Sequence, residues 1–95
     1  VANLEPVGFV ARLRDKFGNP LNGSVEFSAG SRAKPDSGTF TMTPDKTNFK
    51  LGNAYSELRT DTAGESWVKV KATTGDKTLE KELTVWVVEN HRPNS

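Results

Sequence analysis

The stretch that decides the fold, residues 66–88, reads SWVKVKATTGDKTLEKELTVWVV. Apolar and polar residues alternate on both sides of Gly75-Asp76, which suits a two-residue hairpin turn, so the pattern predicts two paired antiparallel strands. One choice of register creates two opposite-charge pairs and one apolar pair, and each pair contributes about 0.2–1 kcal/mol. A slip by one residue would place lysines on the leucine face. The predicted partners are Thr74 with Lys77, Lys71 with Glu80, Lys69 with Glu82, Trp67 with Thr84, and Val68 with Leu83.

Similar alternation recurs along the rest of the chain and predicts an all-β protein. No stretch keeps the three-and-four spacing of an amphipathic helix. About six strands separated by turn formers are typical of an antiparallel β-sandwich. Two features fit less well: the segment 30–52 is irregular, and Lys81 lies on the leucine face, where its ammonium must reach a sheet edge to stay solvated. The predicted strands lie at 8–15, 24–28, 39–43, 54–58, 66–72 and 79–88.

Residues 15–24 are predicted to form a corner between two strands, because inward alternation stops before them and resumes after them. The corner is rich in turn formers, with Gly18-Asn19-Pro20 followed by Asn22-Gly23, a dipeptide suited to a tight turn. Phe17 is a large apolar residue inside this run. We therefore expect Phe17 to tuck under the corner and close one end of the core.

Composition limits the classes of protein that the chain can belong to. Its 95 residues suit one domain, predicted at 1–88, with a polar C-terminal linker or tail at 89–95 that suggests a piece of something longer. Thirteen basic and 12 acidic side chains leave a net charge of +1, so we expect no nucleic-acid partner. No apolar run approaches the length of a membrane span, so no membrane insertion is expected. The absence of cysteine excludes disulfides and thiolate metal sites.

Residues that could support catalysis are few and scattered. The single histidine, His91, falls in the predicted tail, and no carboxylate spacing brings an acid–base pair together, so we expect no enzymatic activity and no cofactor. Asp15 and Asp61 precede turns and could hold calcium, but capping of their own turns is favoured and no metal site is predicted. Asn22-Gly23-Ser24 is a glycosylation sequon, for which a plain turn is the favoured interpretation.

Two tryptophans form the candidate contact surface. In the predicted register, Trp67 and Trp86 fall on the charged face of the last hairpin, with Trp86 two positions past Thr84 and diagonal to Trp67. Large aromatic residues on an outward face often mark a contact. Three interpretations stay open: the segment 30–52 covers both indoles, a neighbouring domain packs on them, or a sugar ring stacks on them.

The corner also resembles a known family. Residues 15–23, DKFGNPLNG, followed by Val25-Glu26-Phe27, are similar to the bacterial immunoglobulin-like domain of group 1, the repeated module of invasin and intimin type adhesins. The family pattern has an Asp, a Gly-Asn-Pro and a Gly before a Val-x-Phe strand. Its second half has Thr-Asp-x-x-Gly before alternating strands, and residues 60–64, TDTAG, match that pattern.

The resemblance implies an immunoglobulin-like antiparallel β-sandwich of about seven to nine strands that is extracellular or displayed at the cell surface. Its implied function is that of a structural spacer or stalk unit in cell adhesion. Implied partners are neighbouring domains of the same chain, with a host-surface protein or a glycan as further candidates, and the isolated domain is expected to be a monomer. Alternative functions are a carbohydrate-binding accessory module of a secreted polysaccharide-degrading enzyme and the receptor-contacting tip of an adhesin.

Overall fold

The computed structural model describes residues 4–35 and 37–88, and the elements that it contains there are all β-strands. Two antiparallel sheets pack face to face, so the predicted all-β sandwich is confirmed. The predicted tail at 89–95, with His91, lies outside the described residues. The strands are β1 (Val7–Arg12), β2 (Ser24–Ser31), β3 (Phe40–Thr43), β4 (Lys46–Asn48), β5 (Asn53–Thr60), β6 (Gly64–Thr74) and β7 (Lys77–Val87).

The sandwich is asymmetric, with three strands in one sheet and four in the other. The smaller sheet has the order β1-β5-β3, and the larger has the order β4-β2-β6-β7. All strand pairs are antiparallel. The edge strands are therefore β1 and β3 in one sheet and β4 and β7 in the other.

The last hairpin has the predicted register. All five predicted pairs occur, from Thr74 opposite Lys77 at the turn to Trp67 opposite Thr84. Gly75 has a φ of +59°, a left-handed conformation that glycine adopts without strain. Lys81 is exposed on β7, an edge strand, which agrees with the prediction that its ammonium reaches a sheet edge.

The core lies between the two sheets and follows from the alternation along each strand. Every second residue of β2 and β5 points inward and is buried over much of each strand, as expected for strands with one face on a core. The fully buried Ser56 donates a hydrogen bond to the Pro44 carbonyl at 2.6 Å, so its hydroxyl is satisfied. The buried apolar cluster comprises Leu13, Val25, Phe27, Met42, Phe49, Ala54, Leu58, Val68 and Ala72.

The segment 30–52 contains a strand that the alternation did not predict. After β3 the chain crosses to the other sheet, where β4 pairs with the start of β2. Three residues are too few to show a period of two, and hence β4 left no sequence signal. Phe49 is buried in the core directly after β4, and Phe40 packs against the same core.

The prediction for Phe17 is wrong, because its side chain is 78% exposed. The Asp15 carboxylate accepts hydrogen bonds from the backbone N–H groups of Phe17 and Asn19, at 2.8 and 2.9 Å. Its other oxygen accepts from Asn19 Nδ2 at 3.1 Å. These bonds curl the loop around Asp15 and leave the Phe17 ring outside it, with Lys16 Nζ 5.2 Å from the ring centroid.

Gly23 has a different role from the predicted turn. The turn of the corner lies at residues 16–17, and residues 21–23 run into β2 without one. A Cβ added at Gly23 would lie 2.2 Å from the backbone oxygen of Thr73. Glycine is therefore needed there because the end of β6 approaches closely, not because of a turn.

Candidate functional site

The candidate surface is the outer face of the four-stranded sheet, which carries Trp67, Thr84 and Trp86. Trp67 lies on β6 opposite Thr84 of β7, and Trp86 lies on β7 opposite Glu65. Trp86 is 69% exposed and Thr84 is exposed, whereas Trp67 is partly buried. The interpretation that the segment 30–52 covers both indoles is wrong for Trp86.

The Trp67 indole lies over Gly30, its partner on β2. A Cβ added at Gly30 would lie 2.7 Å from Cζ2 and 2.9 Å from Nε1 of the indole, so the ring occupies the space that a side chain would fill. Lys69 Nζ lies 5.8 Å from the ring centroid. The ring thus leans towards β2, while Trp86 is carried by β7 on the other side of β6.

An ion-pair network on the same face connects β7 to the end of β2. Arg32, just after β2, donates a charge-assisted hydrogen bond to the Glu82 carboxylate. Its Nε lies 3.9 Å from Oε2 of Glu65. The hydrogen bond from Arg32 lowers the pKa of Glu82. Lys69, the cross-strand partner of Glu82, also lowers that pKa through its positive charge. Trp67 and Trp86 therefore sit among paired charges, a setting that suits polar contacts beside an aromatic surface.

A shallow cavity of about 390 Å³ adjoins Trp67 beside the last residues of β2, which extend past the short strand β4. Its lining includes Gly30, Trp67 and Phe40 of β3, together with residues of the loop between β2 and β3. The segment 30–52 therefore reaches the vicinity of Trp67 without covering Trp86.

The two aspartates considered for calcium lie at opposite ends of the sandwich. Asp15 follows the end of β1, and Asp61 follows the far end of β5, which runs antiparallel to β1. The Asp15 carboxylate is occupied by its own loop, and the Asn19 backbone N–H lowers its pKa. The Asp61 carboxylate instead accepts a hydrogen bond from the backbone N–H of Thr39, in the segment before β3, which lowers the pKa of Asp61. Within residues 4–35 and 37–88, no group of three or more His, Cys, Asp or Glu side chains is placed to hold a metal ion.

Asn22 of the sequon is exposed, and its carbonyl accepts a hydrogen bond from Thr74 Oγ1 at 2.7 Å. Its side chain is therefore free of the core, while its backbone ties the corner to the last hairpin.

Among the described residues, no helix is long and apolar enough to cross a membrane.

A second surface, an apolar groove between β1 and β7, was not predicted from the sequence. Leu79 and Leu83 of β7 point to the inner face of the sheet yet are 52% and 38% exposed. The only signal in the sequence was Lys81, which lies between these two leucines on the same face. A charged residue at an otherwise apolar position indicates that the strand lies at an edge.

Comparisons with known proteins do not assign the chain to a family. No family model matches it, and no curated protein is found to be similar to it. The resemblance to the group 1 immunoglobulin-like domain therefore stays a prediction.

Proposed function

We propose that the chain is a non-catalytic immunoglobulin-like module, of the group 1 type, in a larger secreted or cell-surface protein. It serves there as a structural spacer in cell adhesion. The observation that carries the proposal is the conformation of the motif at the corner. The Asp15 carboxylate accepts hydrogen bonds from backbone N–H groups of the loop that it begins, and Gly18 has a φ of +86° within that loop. The motif residues thus hold the corner together by local hydrogen bonds, which suits a spacer.

The shape and the exposed tryptophan also support a spacer. The described body measures 49 × 31 × 20 Å, so it is elongated. Trp86 lies one residue before the end of β7, beside the point where the chain leaves the sandwich. A neighbouring domain that follows β7 would meet this indole first, and aromatic residues are enriched in such contacts.

The proposal is tested by the sequence of the parent protein and by the isolated chain. Near-copies of this module on either side would support a stalk, whereas an adjoining catalytic domain would favour an accessory module. We expect analytical ultracentrifugation to show a monomer for the 95-residue chain. We also expect a fusion with the segment that follows it to reduce the solvent accessibility of Trp86, measured by acrylamide quenching. Unchanged quenching of Trp86 would contradict the domain contact.

One observation favours a second candidate, a carbohydrate-binding accessory module. Trp86 is 69% exposed on the same face as the partly buried Trp67, and an exposed indole can stack on a sugar ring. A glycan array with fluorescence titration of the hits tests this function. Binding that is lost in Trp86→Ala and kept in Tyr55→Ala, an exposed aromatic residue on the opposite sheet, would establish it. If no glycan in a broad array binds, this candidate is eliminated.

A further inference from the structure

An open groove of about 500 Å³ runs between β1 and β7. One wall is β1, and the other is β7 with Leu79 and Leu83. The two leucines remain half exposed because the facing sheet has one strand fewer and leaves β7 uncovered. The floor is part of the core itself and is lined by Leu13, Phe49, Val70 and Ala72.

Both walls of the groove are strand edges. Among the described residues β1 pairs only with β5, and β7 pairs only with β6. Alternate N–H and C=O groups on the other side of each strand therefore have no strand partner. Proteins cover or blunt such edges because they promote aggregation. An extended main chain satisfies these groups and places every second side chain on the apolar floor.

Lys81 indicates which strand fits the groove. It faces the groove between Leu79 and Leu83, so the occupant meets an apolar, a cationic and another apolar side chain in turn. A second copy is disfavoured. An antiparallel β7–β7 pair that aligns the two leucines would oppose Lys81 with itself and Glu80 with Glu82, and directly opposed like charges are destabilising. A strand with a carboxylate between two apolar residues is complementary to this row.

The positions of the start of β1 and the end of β7 indicate where such a strand comes from. β1 starts opposite Leu58, and β7 ends opposite Gly64. The start of β1 and the end of β7 therefore lie at the same end of the sandwich, beside the loop that joins β5 to β6. In an in-line array the chain must enter and leave a module at opposite ends. A strand that runs antiparallel to β1 along the groove moves the entrance to the far end, and strands adjacent in sequence commonly pair.

We propose that an extended strand of the adjoining polypeptide in the parent protein fills the groove. It runs antiparallel to β1, with apolar residues against Leu79 and Leu83 and a carboxylate against Lys81. The inference rests on the proposed function, because it takes this chain as one module of a larger protein. The added strand completes the sandwich. It also places the entrance of the chain at the end opposite to its exit after β7, as a stalk requires.

Two matched synthetic peptides test the groove: acetyl-TVTETVTVT-amide and acetyl-TVTKTVTVT-amide. Each is titrated into the 95-residue chain at concentrations where the peptide alone is monomeric, and amide chemical shifts and hydrogen exchange are followed by NMR. We expect shifts and slower exchange at alternate amides of β7 and β1. We expect the glutamate peptide to bind about three- to tenfold more tightly than the lysine peptide, since one cross-strand pair changes from attraction to repulsion.

Variants of the chain show whether Lys81 sets this preference. Lys81→Glu should reverse the order of the two peptides, and Lys81→Gln should bring their affinities within about twofold of each other. Lys50→Glu makes the same change of net charge outside the groove and should leave the order unchanged.

Three results would overturn the proposal. They are the absence of shifts at β7 with either peptide, equal affinity of both peptides for the unmodified chain, and a dimer of the chain that Leu83→Ser dissociates. The last would assign the groove to a second copy. The spacer function is tested separately, since an adjoining catalytic domain or glycan binding at Trp86 would contradict it without changing the peptide titrations.

Discussion

Substitution of Gly30 by alanine tests the packing of the candidate surface. A Cβ at this position would lie 2.7 Å from Cζ2 of the Trp67 indole, whereas ordinary contacts begin at about 3.4 Å. The ring must therefore move by about 1 Å or leave the β2 backbone altogether. We expect Gly30→Ala to destabilise the chain although it replaces glycine by a better strand former.

The magnitude follows from two opposing effects. Forcing one extra methyl into a packed site costs about 1–3 kcal/mol of the free energy of unfolding. Replacing glycine by alanine inside a strand returns about 0.5–1 kcal/mol, because the unfolded chain loses less entropy on folding. The net loss in the unmodified chain is therefore at most about 2.5 kcal/mol. In a Trp67→Ala background the clash is gone, so Gly30→Ala should stabilise by about 0.5–1 kcal/mol.

Urea unfolding of the four members of this double-mutant cycle, followed by far-ultraviolet circular dichroism, measures the coupling. We expect a coupling energy of about 1–3 kcal/mol between positions 30 and 67. Gly23→Ala is the matched control, since its Cβ meets the backbone oxygen of Thr73 and its cost should be the same in both backgrounds. A coupling below about 0.5 kcal/mol would refute the stacking of Trp67 on Gly30.

Three further predictions follow from the loops and the charged face. Phe17→Ser should change the free energy of unfolding by less than about 0.5 kcal/mol in urea, because the ring is exposed; a loss of several kcal/mol would instead support the expectation that the ring closes one end of the core. The pKa of Asp15 is lowered in the folded state, so its stabilising contribution is complete above the ordinary carboxyl pKa of 3.8 and is lost as the pH falls through the folded value. Acid titration of stability should therefore be shallower in Asp15→Asn. Arg32→Gln should raise the pKa of Glu82, measured by NMR, and high salt should reduce the difference.

The hairpin of β6 and β7 could be predicted from sequence because its two strands carry redundant information. Register, turn and face are each specified by different residues, and the charge pairs at Lys69 and Lys71 agree with the apolar pair at Val68. Alternation of apolar and polar residues over two long strands is consistent with only one register of the hairpin. The same reasoning placed Trp67 and Trp86 on the charged face, and the structure has them there.

The corner between β1 and β2 was predicted, but the direction of Phe17, the role of Gly23 and the short strand β4 were not, because no periodicity in the sequence reveals the contacts that decide them. Phe17 is turned outward by the hydrogen bonds of Asp15, and Gly23 is required by the approach of a strand fifty residues away in the chain. Alternation also cannot identify a strand of three residues such as β4. For Gly23 the local turn preference was visible in the sequence, but the tertiary contact with Thr73 that requires a glycine there was not.

Trp67 and Trp86 look equivalent in the sequence but differ in the structure, and the difference bears on function. Trp67 is held against Gly30, so its removal should cost stability whether or not it binds anything. Trp86 is the better test of binding because its side chain is mostly exposed, so its removal disturbs little of the packing in the fold. A loss of binding in Trp67→Ala alone would therefore not separate a ligand contact from a weakened sheet.

Lys81 connects the sequence pattern to the open side of the sandwich. On a covered strand a lysine between two leucines would bury an unpaired charge, which proteins avoid. On a free edge it stays solvated and opposes pairing with an identical strand. If an adjoining strand fills the groove, a carboxylate must arrive with it, because otherwise the ammonium loses water without gaining a partner. One residue thus discourages self-association of the exposed edge and selects the strand that can cover it.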